Sequence, residues 1–507
     1  MKISLNVYVS VLLIWLLYGC NAGKTDWDGK RIEQPDLNAD PVLIESAAQL
    51  AWLASPEGDL QKNYLLTTDI DLNPGVKFER NGTFMPEDKE LNVWMPIGYA
   101  TGRPWKGRFD GGGHRIAGLY NGNFPEGGLF YCIGAQDSYG EVKNLTIESG
   151  VITKKRNLHI GTFGVYNFGL IENCVNKARV NGSYFVGGIC GENRGEIRNC
   201  RNEGWIWGRE SGAGGMCGRN FNLIRNCVND AMIFCSNNAG GICGVNEAVI
   251  TDCDNDGRIE GYATVGGICG TSTYLLENCI NRDTVFGEKA AVGGIFGFGG
   301  GKMLHCSNEG VVAGKGIQVG GILGTSGNNN AYFIGCSNRG QIYGDKMVGG
   351  ICGDGGTIYI ACYNTGDIQA NRSVGGLSGD CVNGVFYACY SVGDVVGGEY
   401  VYGIVGQTGG LVRATYVLAT GVYGSDQDIA RLQNGPAVLL EDVLECNARI
   451  DEMNAAIEEW NLGETEAIQD RFRYASSSPQ KCVYRYKKDE ESGNSGLPVV
   501  YKPDLGQ

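Results

Sequence analysis

Short apolar runs separated by glycine and asparagine recur along most of this chain, and a cysteine marks the period of the repeat. Successive cysteines lie 26 or 27 residues apart, with one interval of 30, at Cys174, Cys200, Cys227, Cys253, Cys279, Cys306, Cys336, Cys362 and Cys389. A fixed period of this length is typical of stacked supersecondary units, so the pattern predicts a solenoid.

Three further columns keep the same register. Asparagine stands two residues after each of the first eight cysteines, at Asn176, Asn202, Asn229, Asn255, Asn281, Asn308, Asn338 and Asn364, and Ser391 follows the ninth. Gly-Gly-aliphatic-X-Gly boxes begin at Gly187, Gly214, Gly240, Gly266, Gly293, Gly320, Gly349 and Gly375. A further column follows the asparagines, with a β-branched residue at its centre, at Val180, Ile206, Ile233, Ile259, Val285, Val312, Ile342, Ile368 and Val395.

Three apolar runs per period, separated by residues that accept a left-handed backbone, predict three strands and three corners in each coil. Strands this short gain stability only by pairing with the same strand of the next coil. We therefore expect an all-β fold, a right-handed parallel β-helix of 26–27-residue coils. A helical N-terminal cap and a small C-terminal helical segment should close it.

Identical residues of successive coils stack in such a fold, which predicts where the columns point. The β-branched and cysteine columns should face inward, and the asparagine amides should form a hydrogen-bonded ladder along one corner. Cysteine then serves as a small hydrophobic residue. Disulfides and metal ligation are the alternatives, but no C-x-x-C occurs and in-register parallel side chains suit the disulfide torsion poorly. We expect mostly free thiols.

Both ends of the repeat region carry helix signals. Ser46 and Gln49 form a capping box for a short helix ending near Ala54. Near the C-terminus, Pro436 stands at a possible helix start, and apolar residues follow at spacings of four and three at Leu439, Val443, Cys446, Ile450, Met453, Ile457 and Trp460. This stripe predicts a helix packed on the end of the rod, with a partner-binding coiled coil as the alternative.

Composition and charge narrow the classes of function. The chain has 507 residues, 43% of them hydrophobic, so it can bury a large core. Its 82 glycines indicate frequent turns. A net charge of −14 repels phosphate backbones, which argues against nucleic acid as a partner.

The N-terminus has the form of an export signal. Lys2 precedes a short apolar run over 9–17, and the following Gly19-Cys20 resembles the lipobox of bacterial lipoproteins, from which Tyr18 departs. Cys20 is therefore the expected lipidation site, and an ordinary cleaved signal is the alternative. The predicted divisions are a signal peptide over 1–19, the lipidated cysteine and a linker over 20–40, an N-terminal cap and irregular first coils over 41–153, regular repeats over 154–420, and a C-terminal helix and tail over 421–507.

Several boxes ahead of the repeats carry a resemblance to a known family. They are Ile44–Leu50, Asn63–Leu72, Trp94–Gly98, Gly107–Ile116 and Val142–Leu145. Together with the Gly-Gly-Ile-Cys-Gly boxes, they make residues 41–420 similar to the GLUG-motif proteins, which are exported surface proteins of bacteria. Cysteine often replaces the usual hydrophobic residue of the box. The resemblance implies a β-helix with a surface or adhesion role, and it transfers no catalytic residue.

Candidate metal and catalytic motifs are weak. Asp252–Gly257 matches the start of a calcium loop, but the repeat already dictates Cys253, Asn255 and Gly257, and Ala263 occupies the position of the bidentate glutamate. The histidines His114, His159 and His305 form no zinc-ligand spacing. A dyad of Asp110 and His114 would flank three glycines, which favours a turn. We expect no catalytic residues, no metal and no cofactor.

The outward positions beside the β-branched column offer a candidate binding face. They read Asn181, Trp207, Phe234, Glu260, Phe286, Ala313, Tyr343, Gln369 and Val396, with Trp205 close by. Trp205, Trp207, Phe234, Phe286 and Tyr343 could stack on sugar rings or bind a protein, unless a flanking segment or the C-terminal helix covers them.

These patterns favour a non-catalytic binding or adhesion module whose partner is a glycan or an extracellular protein. Its lipid would hold it in the outer membrane of a Gram-negative bacterium, at the cell surface. The alternatives are a polysaccharide-degrading enzyme such as a β-helical lyase, for which the sequence shows no Asp, Arg and Lys cluster, and a purely structural surface component.

Overall fold

The protein is an almost all-β parallel solenoid in the computed structural model, as the repeats predict. The structure describes residues 25–78, 90–122, 127–153, 159–289, 291–327, 331–355, 357–382, 384–407, 411–413, 415–418, 422–423, 438–440, 448–462, 485–488 and 498–501. Apart from one antiparallel pair near the C-terminus, its strands belong to four long parallel sheets, numbered 1 to 4 in the order in which the chain visits them from Cys190.

Sheets 1 and 2 hold the first two strands of a coil. The strands of sheet 1 are Phe130–Ile133, Gly164–Asn167, Cys190–Asn193, Cys217–Asn220, Cys243–Asn246, Cys269–Ser272, Phe296–Gly299, Leu323–Thr325, Cys352–Asp354, Ser378–Asp380 and Val405–Gln407. Those of sheet 2 are Val42–Ile44, Tyr64–Leu66, Arg108–Asp110, Glu141–Lys143, Leu170–Glu172, Glu196–Arg198, Leu223–Arg225, Val249–Thr251, Leu275–Glu277, Gly301–Leu304, Ala331–Ile334, Thr357–Ile360, Val385–Tyr387 and Leu411–Arg413.

Sheets 3 and 4 complete the coil. The strands of sheet 3 are Thr25–Asp26, Ile70–Asp71, Arg115–Ala117, Thr146–Ile147, Val175–Asn176, Arg201–Asn202, Val228–Asn229, Asp254–Asn255, Ile280–Asn281, Ser307–Asn308, Ser337–Asn338, Tyr363–Asn364, Tyr390–Ser391, Tyr416–Leu418 and Val438–Leu440. Those of sheet 4 are Leu119–Tyr120, Gly150–Thr153, Arg179–Gly187, Ile206–Gly214, Ile233–Gly240, Ile259–Gly261, Val265–Gly266, Val285–Gly287, Ala291–Gly293, Val312–Gly314, Gln318–Gly320, Ile342–Tyr343, Lys346–Gly349, Ile368–Gln369, Arg372–Gly375, Val395–Val396, Glu399–Tyr402 and Val422–Tyr423.

Each regular coil has a strand on each of the four sheets, where the sequence predicts three strands, and from Ile259 onward the strand of sheet 4 is divided into two. The additional strand, Glu196–Arg198 in one coil, lies just before the cysteine and belongs to sheet 2. Its central Ile197 is fully buried and pairs in register with Ile171 and Ile224. This column is not recognisable in the sequence, because polar residues flank Ile197 and because Met303 or Phe333 takes its place in later coils.

The asparagine column of sheet 3 forms the predicted ladder. In each step the Nδ2 of one asparagine donates to the Oδ1 of the next, as from Asn202 to Asn229 and from Asn229 to Asn255, both at 2.8 Å. The same Nδ2 also donates to a backbone carbonyl two residues on, such as Ala231 O. These side chains are fully buried, so the ladder satisfies amides that water cannot reach.

The second glycine of each box leaves room for this ladder. A β-carbon on Gly241 would collide with Asn255 Oδ1 and with the carbonyl oxygen of Gly267 in the next coil. The same collision would occur between Gly215 and Asn229. Two columns that look independent in the sequence therefore share one packing constraint.

Buried cysteines line the interior in two rows. Those named in the repeat follow sheet 2, and a second row in sheet 1 stacks Cys190, Cys217, Cys243 and Cys269 in register. The 17 cysteines in the described residues carry free thiols. The Sγ atoms of Cys217 and Cys243 are 3.7 Å apart, far beyond the ~2.05 Å of a disulfide.

The N-terminal helix, α1 (Ala47–Ala54), begins where the sequence predicts. Ser46 Oγ accepts a hydrogen bond from Gln49 N at 3.2 Å, and Gln49 Oε1 accepts one from Glu45 N at 2.7 Å. Within the segment predicted as a linker over 20–40, Thr25–Asp26 pairs with Ile70–Asp71 in sheet 3. This pairing gives the N-terminal segment a place in the fold.

The C-terminal helix, α2 (Ile450–Leu462), is shorter than the predicted stripe. Leu439 lies in the strand Val438–Leu440, which pairs with Tyr416–Leu418 of sheet 3, so the helix predicted from Pro436 is wrong at this residue. The prediction failed because a run of three apolar residues can form an added strand at the open edge of a sheet as readily as it can begin a helix. Val443 and Cys446 lie outside the described residues. The strands Arg485–Lys488 and Pro498–Tyr501 form a separate antiparallel pair.

The ladder predicts a large stability loss for Asn229→Ala. The change leaves the Oδ1 of Asn255 and one hydrogen of Asn202 without a buried partner, so we expect a loss of about 3 kcal/mol in the free energy of unfolding. Chemical denaturation measures it. The control Asn222→Ala, at an exposed asparagine, should change stability by less than about 0.5 kcal/mol. Equal effects of the two changes would contradict the ladder's role.

The buried thiols predict strong protection from alkylation. Burial raises the pKa of Cys200 and Cys227 well above the usual thiol value, which suppresses the reactive thiolate. Iodoacetamide at pH 8 should leave both unmodified in the native protein and modify both in guanidinium chloride, as read by peptide mass spectrometry. Detection of a native disulfide between Cys217 and Cys243 would contradict the structure.

Candidate binding face

The outward row predicted from the sequence lies in register on sheet 4. Each residue pairs with the corresponding residue of the next coil in the order Asn181, Trp207, Phe234, Glu260, Phe286, Ala313, Tyr343, Gln369 and Val396. We call this set the outer row. Its inner neighbours are the buried β-branched residues, so alternation along each strand turns the outer row away from the core.

Trp207 and Phe234 form an aromatic pair in this row. Their ring centroids are 4.6 Å apart with an interplanar angle of 35°. The Trp207 side chain is 42% exposed, and Phe234 is half-buried. The pair lies on Ile206–Gly214 and Ile233–Gly240, which with Arg179–Gly187 are the longest strands in the described residues. Later coils break this strand into two pieces, so the pair occupies the widest part of sheet 4.

The other predicted aromatic residues are spread along the same face. Trp205 precedes Trp207 by two residues and is half-buried. Phe286 is half-buried beneath Lys315, whose Nζ is 5.5 Å from the ring centroid. Tyr343 is 41% exposed, and its hydroxyl donates to Gln341 Oε1 at 3.0 Å. The structure thus brings Trp207 and Phe234 together and leaves Phe286 and Tyr343 as separate positions further along the row.

The C-terminal helix α2 covers a different face. Met453, Ala456, Ile457 and Trp460 pack into a second apolar cluster with side chains from sheets 2 and 3, among them Ile334, Ile358, Ile360, Tyr363, Val385, Tyr387, Tyr390 and Tyr416. Tyr416 also donates to Glu452 Oε2 at 2.6 Å. Helix α2 therefore packs on the rod, as the apolar stripe predicts, and none of the outer row belongs to its cluster.

Charged side chains gather on the outside of sheet 3, which sequence reasoning missed. They come from the positions after the cysteine and after the asparagine in successive coils and include Arg201, Glu203, Asp230, Asp254, Asp256, Arg282, Glu309 and Arg339. They form ion pairs with one another, such as Arg282 Nη1 with Asp256 Oδ1 at 2.9 Å. Alignment of the repeats would have revealed this column, because charged residues recur at the position after the asparagine in successive coils.

The calcium-like segment is part of this charged surface. Asp254 and Asp256 both pair with Arg282, and Asn255 belongs to the buried ladder. Asp252 has a φ of 55° at a coil corner, and its Oδ1 accepts a hydrogen bond from Asn278. The repeat thus assigns a structural role to each of these side chains. No group of three or more potential ligands placed to hold a metal occurs in the described residues.

The residues Asp110 and His114 do not form a dyad. His114 Nδ1 lies 3.2 Å from Asp69 Oδ1, and Arg115 binds the second oxygen of the same carboxylate at 3.0 Å. Asp110 instead accepts a hydrogen bond from Asn144 Nδ2 at 2.9 Å. The two residues have separate partners and support the turn that the glycines predict.

The other two histidines are far apart in the solenoid. His159 Nε2 lies 2.9 Å from Glu192 Oε2, and its ring stacks on Phe185 at 5.1 Å. Burial lowers the pKa of His159, although Glu192 opposes this shift. His305 has a φ of 52° and forms a coil corner just before Cys306. His159 and His305 therefore lie in separate environments and do not act together.

The proposed export features fall in a part of the chain that the structure does not describe. The signal peptide over 1–19 and the lipidation site Cys20 lie outside the described residues. Among the described helices, none is long and apolar enough to cross a membrane.

Comparisons with known proteins give partial similarities. No family model matches the chain, so its resemblance to GLUG-motif proteins stays a prediction. A stretch of 154 residues, 30% of the chain, is 29% identical to halomucin of Haloquadratum walsbyi and spans only 2% of that protein's length. A crystal structure of a candidate immunoglobulin A1 protease from Bacteroides ovatus aligns with a TM-score of 0.31 and 20% identity, over 62% of this chain and 80% of that one. Neither similarity identifies a function.

Proposed function

We propose that this chain is an exported surface lipoprotein whose solenoid is a non-catalytic module for binding glycans. The observation that carries the proposal is the outward-facing pair of the exposed Trp207 and the half-buried Phe234 on the longest strands of sheet 4. Apolar faces of sugar rings stack on such aromatic side chains. The polar neighbours Asn181 and Arg209, linked by a hydrogen bond of 3.3 Å, lie beside the pair and can bind sugar hydroxyls.

Placement at the surface rests on the N-terminal sequence. The short apolar run and Cys20 support export and lipidation, and we propose the outer membrane of a Gram-negative bacterium as the site of anchoring. The similarity to a segment of halomucin, a mucin by its name, agrees with a place outside the cell. The Gly-Gly-aliphatic boxes support membership of the GLUG-motif proteins that the chain resembles.

The aromatic pair predicts which substitutions abolish binding. Trp207→Ala and Phe234→Ala each remove half of the stacking surface, so we expect at least a tenfold loss of affinity, about 1.4 kcal/mol, for any glycan that the wild type binds. A glycan array followed by calorimetry measures it. Both side chains point outward, so the free energy of unfolding should change little.

Tyr274→Ala provides a matched control. Tyr274 is an exposed aromatic residue at the corner between sheets 1 and 2, away from the outer row. Its removal should leave glycan affinity unchanged. Equal binding by wild type, Trp207→Ala and Phe234→Ala would contradict the proposal, and binding to matrix proteins without any glycan would assign the face to a protein partner.

The proposal also predicts no cleavage of the bound glycan. The acidic and basic side chains on sheet 3 neutralise each other in ion pairs, which does not favour acid or base catalysis. Incubation with neutral and anionic polysaccharides should release no reducing ends and no unsaturated products above the buffer control. Product release that depends on the folded protein would favour the lyase alternative.

A further inference from the structure

The outer row ends in an open depression that the aromatic pair does not reach. It has a volume of about 430 Å³ and is lined by Tyr343, Gln369, Asn371, Val396 and the Gly397–Gly398 turn. The side-chain amide of Gln369 is exposed and makes no hydrogen bond within the described residues. One aromatic ring beside a free amide offers a sugar both a stacking surface and a hydrogen-bond partner.

The two positions belong to the same row of sheet 4. Trp207 and Tyr343 are five coils apart in the register of sheet 4, and parallel strands are spaced ~4.8 Å apart, so about 24 Å separates them. Phe286 stands between them in the same row. Each sugar ring lengthens a linear polysaccharide by a distance similar to the ~4.8 Å spacing between adjacent coils. A ligand that touches both positions must therefore contain several sugar units.

Charges on this face favour an uncharged ligand. Although the chain carries a net charge of −14, oppositely charged side chains on sheet 4 and its turns pair with each other, namely Arg258 with Glu260, Lys315 with Glu288, and Arg372 with Glu399. These pairs flank the outer row from Glu260 to Val396. The rest of the protein, with its net negative charge, would repel an anionic polymer at long range.

We infer that the ligand of the outer row is a linear, uncharged polysaccharide that lies along the solenoid axis, from the Trp207–Phe234 pair to the depression at Tyr343. This inference rests on the proposed function and adds the shape, minimum length and charge of the ligand. The rigid coil spacing fixes the distance between the two contact positions. Simultaneous contact with both then raises affinity for long chains, because the second contact is intramolecular.

Oligosaccharides of different length test the inference. The probes are cellohexaose, mannohexaose and xylohexaose, the corresponding trisaccharides, and hexagalacturonate as an anionic hexamer, titrated into the full mature chain by calorimetry. We expect at least one neutral hexasaccharide to bind tenfold or more tightly than its own trisaccharide. Tyr343→Ala should reduce hexasaccharide affinity to that of the trisaccharide and leave trisaccharide affinity unchanged.

The controls separate this inference from the proposed function. Trp207→Ala should weaken both lengths, whereas Tyr139→Ala, at an exposed tyrosine outside the outer row, should affect neither. Equal affinity for neutral trisaccharides and hexasaccharides, no effect of Tyr343→Ala, tighter binding of hexagalacturonate, or no binding of any neutral hexasaccharide would overturn the inference. If Trp207→Ala still abolishes binding to some other glycan, the proposed function survives, and if it abolishes none, both fail.

Discussion

The contact between the asparagine ladder and the second glycine of each box is the constraint on which the rest of the solenoid depends. The amide of Asn255 bonds to the amides above and below it, and its Oδ1 occupies the space that a β-carbon on Gly241 would need. A change in either column leaves buried amides unpaired or forces neighbouring coils apart. Because the ladder is continuous from Asn176 to Asn364, each coil is held in register by the coils on both sides.

This constraint explains why the inside and the outside of the protein differ in regularity. The inward columns are limited to residues that fit a fixed coil spacing, and cysteine, isoleucine and valine satisfy that limit as compact apolar side chains. The outward columns face no such limit, so adjacent coils carry residues as different as Trp207 and Asn181. Residues on the outer side of sheet 4 can therefore vary from coil to coil without disturbing the core. A binding site can form there without destabilising the fold.

The sequence predicted the features that a strict period dictates. The solenoid, the inward cysteines, the asparagine ladder, the register of the outer row and the cap at Ser46 all follow from columns that repeat one residue type at one spacing. The strand around Ile197 was missed because its column changes residue type while keeping its burial. The strand at Leu439 was read as helix because its few apolar residues fit both periods, and only the open edge of sheet 3 decides between them.

The exposure of the outer row could not be read from the sequence, since it depends on where the C-terminal helix packs. The last coils carry apolar side chains on the outside of sheets 2 and 3, such as Ile358 and Tyr387, where earlier coils carry ionic residues such as Glu172 and Arg198. Helix α2 covers this apolar end, and Trp460 meets the Tyr387 ring there at 5.3 Å. Helix α2 thus packs on an outer surface that changes from ionic to apolar along the described coils. The outer row of sheet 4 undergoes no such change, since its aromatic residues alternate with Glu260, Ala313 and Gln369, so it offers no continuous apolar strip on which a helix could pack.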